Sequence, residues 1–283
     1  MKTHYKTIIL SDIHLGIRNS RVKEVVDFLS EHKCDTLILN GDIIDGWQLK
    51  KSGNWKKKHT SFFRMIMKYM HKYNTKVIYL RGNHDDFLDE ILPFSFGQFI
   101  IKRNHILQTG NKKYYVVHGD IFDSITTNLK WLAKLGDVGY TFLLWLNRHY
   151  NQYRTKRGLP YYSLSQVVKA KVKSAVSFIN DYEEQLCEVA KANDCSGVIC
   201  GHIHQPADKH LGNIHYLNSG DRVETMSALV ETHEGEWKII YYNDWVAAAQ
   251  PQHTLLNGEL MVHDVPASFF ANLNSTISIT FIR

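Results

Sequence analysis

The chain has 283 residues, 44% hydrophobic and 22% charged, a balance that excludes global disorder and a multi-span membrane protein. That length carries one large domain, or a core with an inserted cap. A formal charge of +6 and 16 histidines favour anionic partners such as phosphate groups, nucleic acid or an acidic lipid surface, without choosing between them. Cys34, Cys187, Cys195 and Cys200 form no CxxC pair and are too sparse for a disulfide framework, so they read as reduced, buried thiols of a cytoplasmic protein. The start, MKTHYKTIILSDIHLG, lacks the apolar core of a secretory signal, and no stretch reaches the ~18 to 20 apolar residues that span a bilayer.

In chain order, Thr7 to Leu10 is a short apolar run that stops at SDIH, and Thr36 to Leu39 is another that stops at NGDIID. Between them, Val22, Val25, Val26 and Leu29 recur at helical spacing within Arg21 to His32, so the order strand, helix, strand predicts a parallel sheet. A second helix is predicted over Ser61 to Lys72, with Phe62, Met65, Ile66 and Met70 on one stripe, and the strand Lys76 to Leu80 then stops at RGNHDD. Tyr114 to Val117 stops at HGD, and Gly197 to Cys200 stops at GHIH. Five strands thus end in loops rich in Asp, His, Asn and Gly, and in open α/β sheets such loops gather at one edge where ligands bind. His215 to Asn218, Ser227 to Thr232 and Trp237 to Tyr242 read as antiparallel strands of a second sheet, giving an α/β sandwich.

Ser124 to Asn193 breaks this rhythm with a long helix-prone stretch that reads as an inserted cap. The organisation expected is a core of residues 1–123 and 194–245, a helical cap of 124–193, and a tail of 246–283 without clear period or assigned role.

The loops read D12-I-H14, G41-D42-I-I-D45, G82-N83-H84-D85, H118-G119-D120 and G201-H202-I-H204. Aspartate, asparagine and neutral imidazole are oxygen and nitrogen ligands suited to Mn, Fe, Zn or Mg, and no thiolate is placed for a structural zinc. In an extended segment residues i and i+2 share a face, so each of the two triplets offers two ligands at once. Glycines before Asp42, Asn83 and His202, and after His118, permit tight strand-to-loop turns. His32, His59, His71, His105, His149, His210, His215 and His233 stand outside the loops and read as ordinary surface or core histidines.

These five blocks, in this order, resemble the calcineurin-like metallophosphoesterase superfamily and its pattern of D-x-H, GD-x-x-D, GNH, H and GH-x-H. The resemblance implies a four-layer α/β/β/α sandwich and a hydrolase with two divalent cations, Mn before Fe, Zn or Mg. One cation would be held by Asp12, His14 and His204, the other by Asn83, His118 and His202, with Asp42 bridging them. Two such ions about 3.5 to 4 Å apart activate water and clamp an in-line displacement at phosphorus. His84 would face the phosphate, as electrostatic stabiliser or as the acid for the leaving oxygen. Asp45, Asp85 and Asp120 are candidates to orient ligand histidines, with turn and cap roles equally open.

Within the superfamily, ILSDIHLG, LRGNHDDFLDE, VVHGDIFD, KWLAKLGDVGYTFLLWLNR and YLNSGDRVE look most like the UDP-2,3-diacylglucosamine pyrophosphatases of lipid A biosynthesis. That group implies cleavage of a UDP-linked diacylated sugar to UMP and an acylated sugar phosphate. One position departs: its better-known members have Arg where this chain has His84, so the lipid assignment rests mainly on the insert. From Lys130 to Lys173 nine Lys or Arg stand against one acid, Asp137, among aromatics that include Trp145 and Tyr153. Such a surface suits lipid headgroups and acyl chains, with Arg148, Arg154, Arg157, Trp145 and Tyr153 as substrate contacts and a peripheral place on the inner membrane's cytoplasmic face. The same composition serves a nuclease that tracks a phosphate backbone, or an ordinary helical pair with a solvated basic face. Lys50, Lys51, Lys56, Lys57 and Lys58 around Trp47 and Trp55 read as a second basic loop near the metal edge. A scaffold that kept the fold and lost the chemistry is the third alternative, and the complete ligand set argues against it.

Overall fold

The computed structural model describes residues 2–53, 55–122, 150, 153–154, 156–158 and 179–249. Most of the expected cap and the tail beyond 249 lie outside the described residues. Met1–Ala247 is one compact unit, and the two sheets belong to it.

Apolar runs bounded by Gly, Asn and Asp supply the strands, and hydrogen bonding sorts them into two sheets. The first contains β1 (Thr3–Leu10), β2 (His32–Asn40), β3 (Lys76–Leu80), β4 (Phe94–Phe96) and β5 (Phe99–Lys102), with β11 (Ser227–Glu231) and β12 (Trp237–Tyr241). Its order is β12-β11-β1-β2-β3-β5-β4, with β1, β2, β3 and β5 parallel. The second contains β6 (Asn104–Thr109), β7 (Lys112–Val117), β8 (Gly197–Cys200), β9 (Ala207–Leu211) and β10 (Ile214–Asn218), in the order β6-β7-β8-β10-β9. Two expectations are corrected here. β10 runs parallel to β8, and β11 and β12 pair antiparallel with β1 and each other in the first sheet. Strand-forming composition marks β11 and β12 but does not say which sheet edge they join.

Side-chain alternation divides the core into three layers. Ile8, Leu10, Leu37, Leu39, Val77 and Tyr79 face helices α1 (Val22–Glu31) and α3 (Lys57–Tyr73). Ile9, Ile38, Ile78 and Leu229 point the other way, against Tyr114, Val116, Ile199 and Leu217 of the second sheet. Tyr115, Val117, Val198 and Cys200 meet Tyr182, Leu186 and Ala190 of α4, described over 179–192. The result is a four-layer α/β/β/α sandwich. The four cysteines are buried and unpaired.

Helix α3 starts a turn before the apolar stripe predicts, because the His59 ring accepts the Lys56 backbone N–H at 3.2 Å. α2 (Gly46–Ser52) replaces an expected loop. Asp45 caps it by accepting from Gln48 N at 2.8 Å, and Gly53 closes it at φ 60°, signals present in the sequence. A final helix, α5, covers Tyr242–Ala249. Among the described residues no helix is long and apolar enough to cross a membrane. Ile199 is fully buried between the sheets, so Ile199→Ala should lower the unfolding free energy by about 2–5 kcal/mol in equilibrium urea denaturation.

Candidate metal centre

The C-terminal ends of β1, β2 and β3 from one sheet and of β7 and β8 from the other deliver the five loops to a single place. Backbone bonds lock them together: Asp12 N donates to Gly41 O at 3.0 Å, His14 N to Asp42 O at 2.9 Å, and Gly201 N to His118 O at 3.0 Å. The Asn40 amide crosses between the sheets to Val117 O at 3.1 Å. The convergence expected along one sheet edge is therefore built from two.

Asp12, His14, Asp42, His202 and His204 have φ of 52°, 49°, 53°, 67° and 57°, left-handed values uncommon outside glycine. The D-x-H and H-x-H triplets are thus not extended, and the extended-strand reason for their shared face is corrected: left-handed residues alternate with Ile13 and Ile203, and the paired side chains converge through that backbone. Close approach, not only turning, requires the glycines. A Cβ on Gly82 would lie 2.3 Å from Asp42 Oδ1, and one on Gly41 2.3 Å from His118 Nδ1.

Two ligand groups result. Asp12, His14 and His204 form one, Asp42, His118 and His202 the other, each with its ligand atoms within 4.8 Å of one another. The Asp42 carboxylate stands between them, its Oδ2 3.4 Å from His118 Nε2 and 3.9 Å from His14 Nε2. Burial opposes ionisation of Asp42, but the His118 charge outweighs it and holds the carboxyl at about 2. Asp12 is likewise held low against its burial, by His204 first and then His118.

The donors fit cations. His118 gives its Nδ1–H to Asn40 O at 2.9 Å, so its Nε2 faces the Asp42 oxygen, where the Asp42 and Asp12 charges favour a proton against burial and a bound cation would take that proton's place. These two atoms, 3.4 Å apart, need a positive charge between them, a proton on the imidazole or a bound cation. Asn83 Oδ1, Asp12 Oδ1 and His118 Nε2 are all buried without a hydrogen-bond partner, a rare condition that bound cations relieve. Asp12 Oδ1 and His204 Nε2 approach to 3.2 Å without forming a hydrogen bond.

Asp45 lies 3.3 Å from His14 Nδ1 and 3.1 Å from His84 Nδ1, so one carboxylate orients two imidazoles and caps α2 as well. Burial raises its pKa, but the bonds from His14 and His84 carry it well below the usual carboxylate range. Asp85 and Asp120 have further partners. Asp85 accepts from Ile43 N, Ile44 N and Tyr79 OH at 2.8–3.0 Å, bracing the Asp42 loop, and burial together with the Asp42 charge pushes it up to about 7. Asp120 pairs with Arg81, whose other nitrogens hold Asp89 at 3.0 and 3.1 Å. Two contributors were missed. Asn40 supplies the carbonyl for His118, and Asn218 donates to Gly201 O at 3.0 Å while accepting from Gly220 N at 2.8 Å, fixing the His202 loop. Their signal is an amide closing an otherwise apolar strand, in LNGD and LNSGD. Of the expected substrate contacts, Trp145 and Arg148 lie outside the described residues. Arg157 sits 4.8 Å over the Tyr153 ring and Arg154 5.6 Å over that of Tyr150.

The Calcineurin-like phosphoesterase family matches residues 5–206, most of the chain, and the chain belongs to that family. It is a metal-dependent hydrolase of the phosphoesterase class. No curated protein matches significantly. Similar solved structures include an archaeal phosphodiesterase, 14% identical over 83% of this chain and 98% of its own, with a TM-score of 0.39. Yfce, a phosphoesterase from E. coli, is 13% identical over 84% and 99% at 0.37, and Vacuolar Protein Sorting 29 from Cryptosporidium parvum is 12% identical over 83% and 96% at 0.38.

Because Asp45 orients a ligand histidine from behind, Asp45→Asn should weaken divalent-cation affinity about 10–100-fold in calorimetric titration. Unchanged affinity would reduce Asp45 to a helix cap.

Proposed function

We propose that this hydrolase cleaves the phosphoanhydride of a nucleotide-linked acylated sugar of the UDP-2,3-diacylglucosamine type, with Mn as its cation. Water adds to one phosphorus, the bridging oxygen leaves with the other, and the products are UMP and an acylated sugar 1-phosphate. When bound, a pair of divalent cations supplies Lewis acidity and activates water for in-line attack. Asp12, His14 and His204 would hold one, Asn83, His118 and His202 the other, and Asp42 both.

The chain's own residues set the remaining chemistry. Asp45 Oδ2 lies 3.1 Å from His84 Nδ1, and His84 Nε2 lies 3.9 Å from Asp42 Oδ2. From there it can donate to a phosphoryl or leaving oxygen. The observation that carries the substrate reading is the wall beside this histidine. Trp47, 46% exposed, lies against the His84 ring with centroids 4.3 Å apart, and Phe87, 40% exposed, packs at the start of the same helix. Exposed aromatic surface at a phosphate-cleaving centre suits a substrate with an apolar portion, and the resemblance of LRGNHDDFLDE and the insert to the lipid A pyrophosphatases supports the same reading. Peripheral attachment to a membrane's cytoplasmic face follows from such a substrate. Lys50 and Lys51 on α2 favour the second reading, a nuclease or nucleotide phosphodiesterase whose bases stack on Trp47.

Purified Mn-loaded protein assayed on UDP-2,3-diacylglucosamine, single-stranded DNA and bis(p-nitrophenyl) phosphate separates the two. UMP release with intact DNA is expected, and DNA cleavage without UMP release would overturn the lipid reading. Asp42→Ala and His118→Ala should abolish turnover while circular dichroism stays unchanged. His84→Ala should lower kcat by about 10²–10³ with cation content intact.

A further inference from the structure

We propose that His4, Asp35 and His233 form a separate cation site, selective for Zn²⁺, at the opposite end of the first sheet from the catalytic centre. His4 Nε2 lies 2.7 Å from Asp35 Oδ1, and His233 Nδ1 lies 3.8 Å from Asp35 Oδ2. The two imidazole rings meet edge to face, with centroids 4.7 Å apart and planes at 76°. All three ligand atoms fall within 4.8 Å of one another.

Sheet register brings them together. Strands β1 and β2 run parallel with Tyr5 beside Cys34 and Thr7 beside Thr36, so Asp35 stands next to Lys6, and His4 shares the face of Lys6 two residues away. On the other side β11 pairs antiparallel with Thr7 opposite Glu231, and the turn that follows Glu231 carries the His233 ring against that of His4. The turn carrying His233 is itself fixed, since Thr232 N donates to Glu236 O at 2.9 Å and Gly235 N to Thr232 O at 3.0 Å. Three remote segments thus present ligands from an ordered backbone.

Two imidazoles and one carboxylate, all exposed, form a nitrogen and oxygen set with a fourth position open to water, the arrangement Zn²⁺ accepts most readily. Zn–N bonds of about 2.0–2.1 Å in tetrahedral geometry separate ligand atoms by roughly 3.3 Å, between the two distances found here, so small side-chain rotations close the site. The neighbouring Lys6 ammonium is neutralised by Glu231 at 2.7 Å and does not repel the ion. Six residues of extended strand, roughly 20 Å, separate His4 from Leu10, where the catalytic loops begin. A bound ion would clip the starts of β1 and β2 to the β11–β12 turn.

Protein stripped by chelator and reloaded with Zn²⁺ is weighed by native mass spectrometry. The double variant His4→Gln/His233→Gln should carry one ion fewer than the wild type and hydrolyse bis(p-nitrophenyl) phosphate at the wild-type rate. Asp42→Ala should retain the ion that the double variant loses, and His233→Gln alone should weaken that binding step tenfold or more in calorimetric titration. Equal ion counts in wild type and double variant overturn the proposal. The readout is a difference of one ion, so it stands whatever the substrate and however many ions the catalytic centre takes.

Discussion

A carboxylate removed from water must be protonated or surrounded by positive charge, and at Asp42 the fold provides the surroundings. Its Oδ1 accepts the His84 backbone N–H at 2.8 Å, and its Oδ2 faces the Nε2 atoms of His118, His14 and His84 at 3.4 to 3.9 Å. The side chain is buried and stays ionised. Loops after β1, β2, β3 and β7 are therefore all placed relative to one charge. Gly82 must lack a side chain because that carboxylate occupies the space, and Asp85 must brace Ile43 and Ile44 because the loop carrying Asp42 would otherwise sag. Without cations the carboxylates are balanced by protons on the ligand histidines, and a bound cation would take the place of those protons, which is why metal binding and catalysis belong to the same geometry.

That geometry is costly to hold. Five ligand residues in left-handed conformations store about 1–3 kcal/mol each, a strain that persists only where the surroundings over-determine it. The sandwich does so. Pairing of β1 with β2 continues past Leu10 as an isolated bridge between Leu15 and Ile44, with Leu15 N donating to Ile43 O at 2.8 Å, so the strained turns are sewn at both ends. Beneath them Ile9, Ile38, Val116 and Ile199 pack between the sheets without exposed surface. Rigid layers below and hydrogen-bonded turns above give positional accuracy where a flexible loop could not.

The sequence revealed what depends on local chemistry. Strands ending in Asp, His and Asn declared themselves because apolar runs stop abruptly there, and Lys76–Leu80 and Gly197–Cys200 were legible to the residue. What depends on partners was hidden. Nothing within Ser227 to Glu231 says that it pairs with β1 rather than with the second sheet, since both edges present the same backbone groups. The D-x-H spacing pointed to the right side chains for the wrong reason, because strand periodicity and a left-handed turn both bring i and i+2 together. Asn40 escaped notice because its contribution is a backbone carbonyl, which every residue has. His4 and Asp35 are likewise neighbours through register and not through motif.

His84 is where the ligand set meets substrate choice. An arginine at that place would be a permanent cation with several donors, able to clamp phosphoryl oxygens but not to exchange a proton. His84 has Nδ1 3.1 Å from Asp45 and its ring against Trp47, two contacts that hold it in one orientation. A phosphoanhydride expels a stabilised phosphate and needs only charge compensation from that ring. A phosphodiester expels an alkoxide and needs a proton. The histidine therefore widens the range of bonds the centre can break beyond what a fixed cation would allow. Selection among them must come from the surface that receives the rest of the molecule, and beside His84 that surface is aromatic.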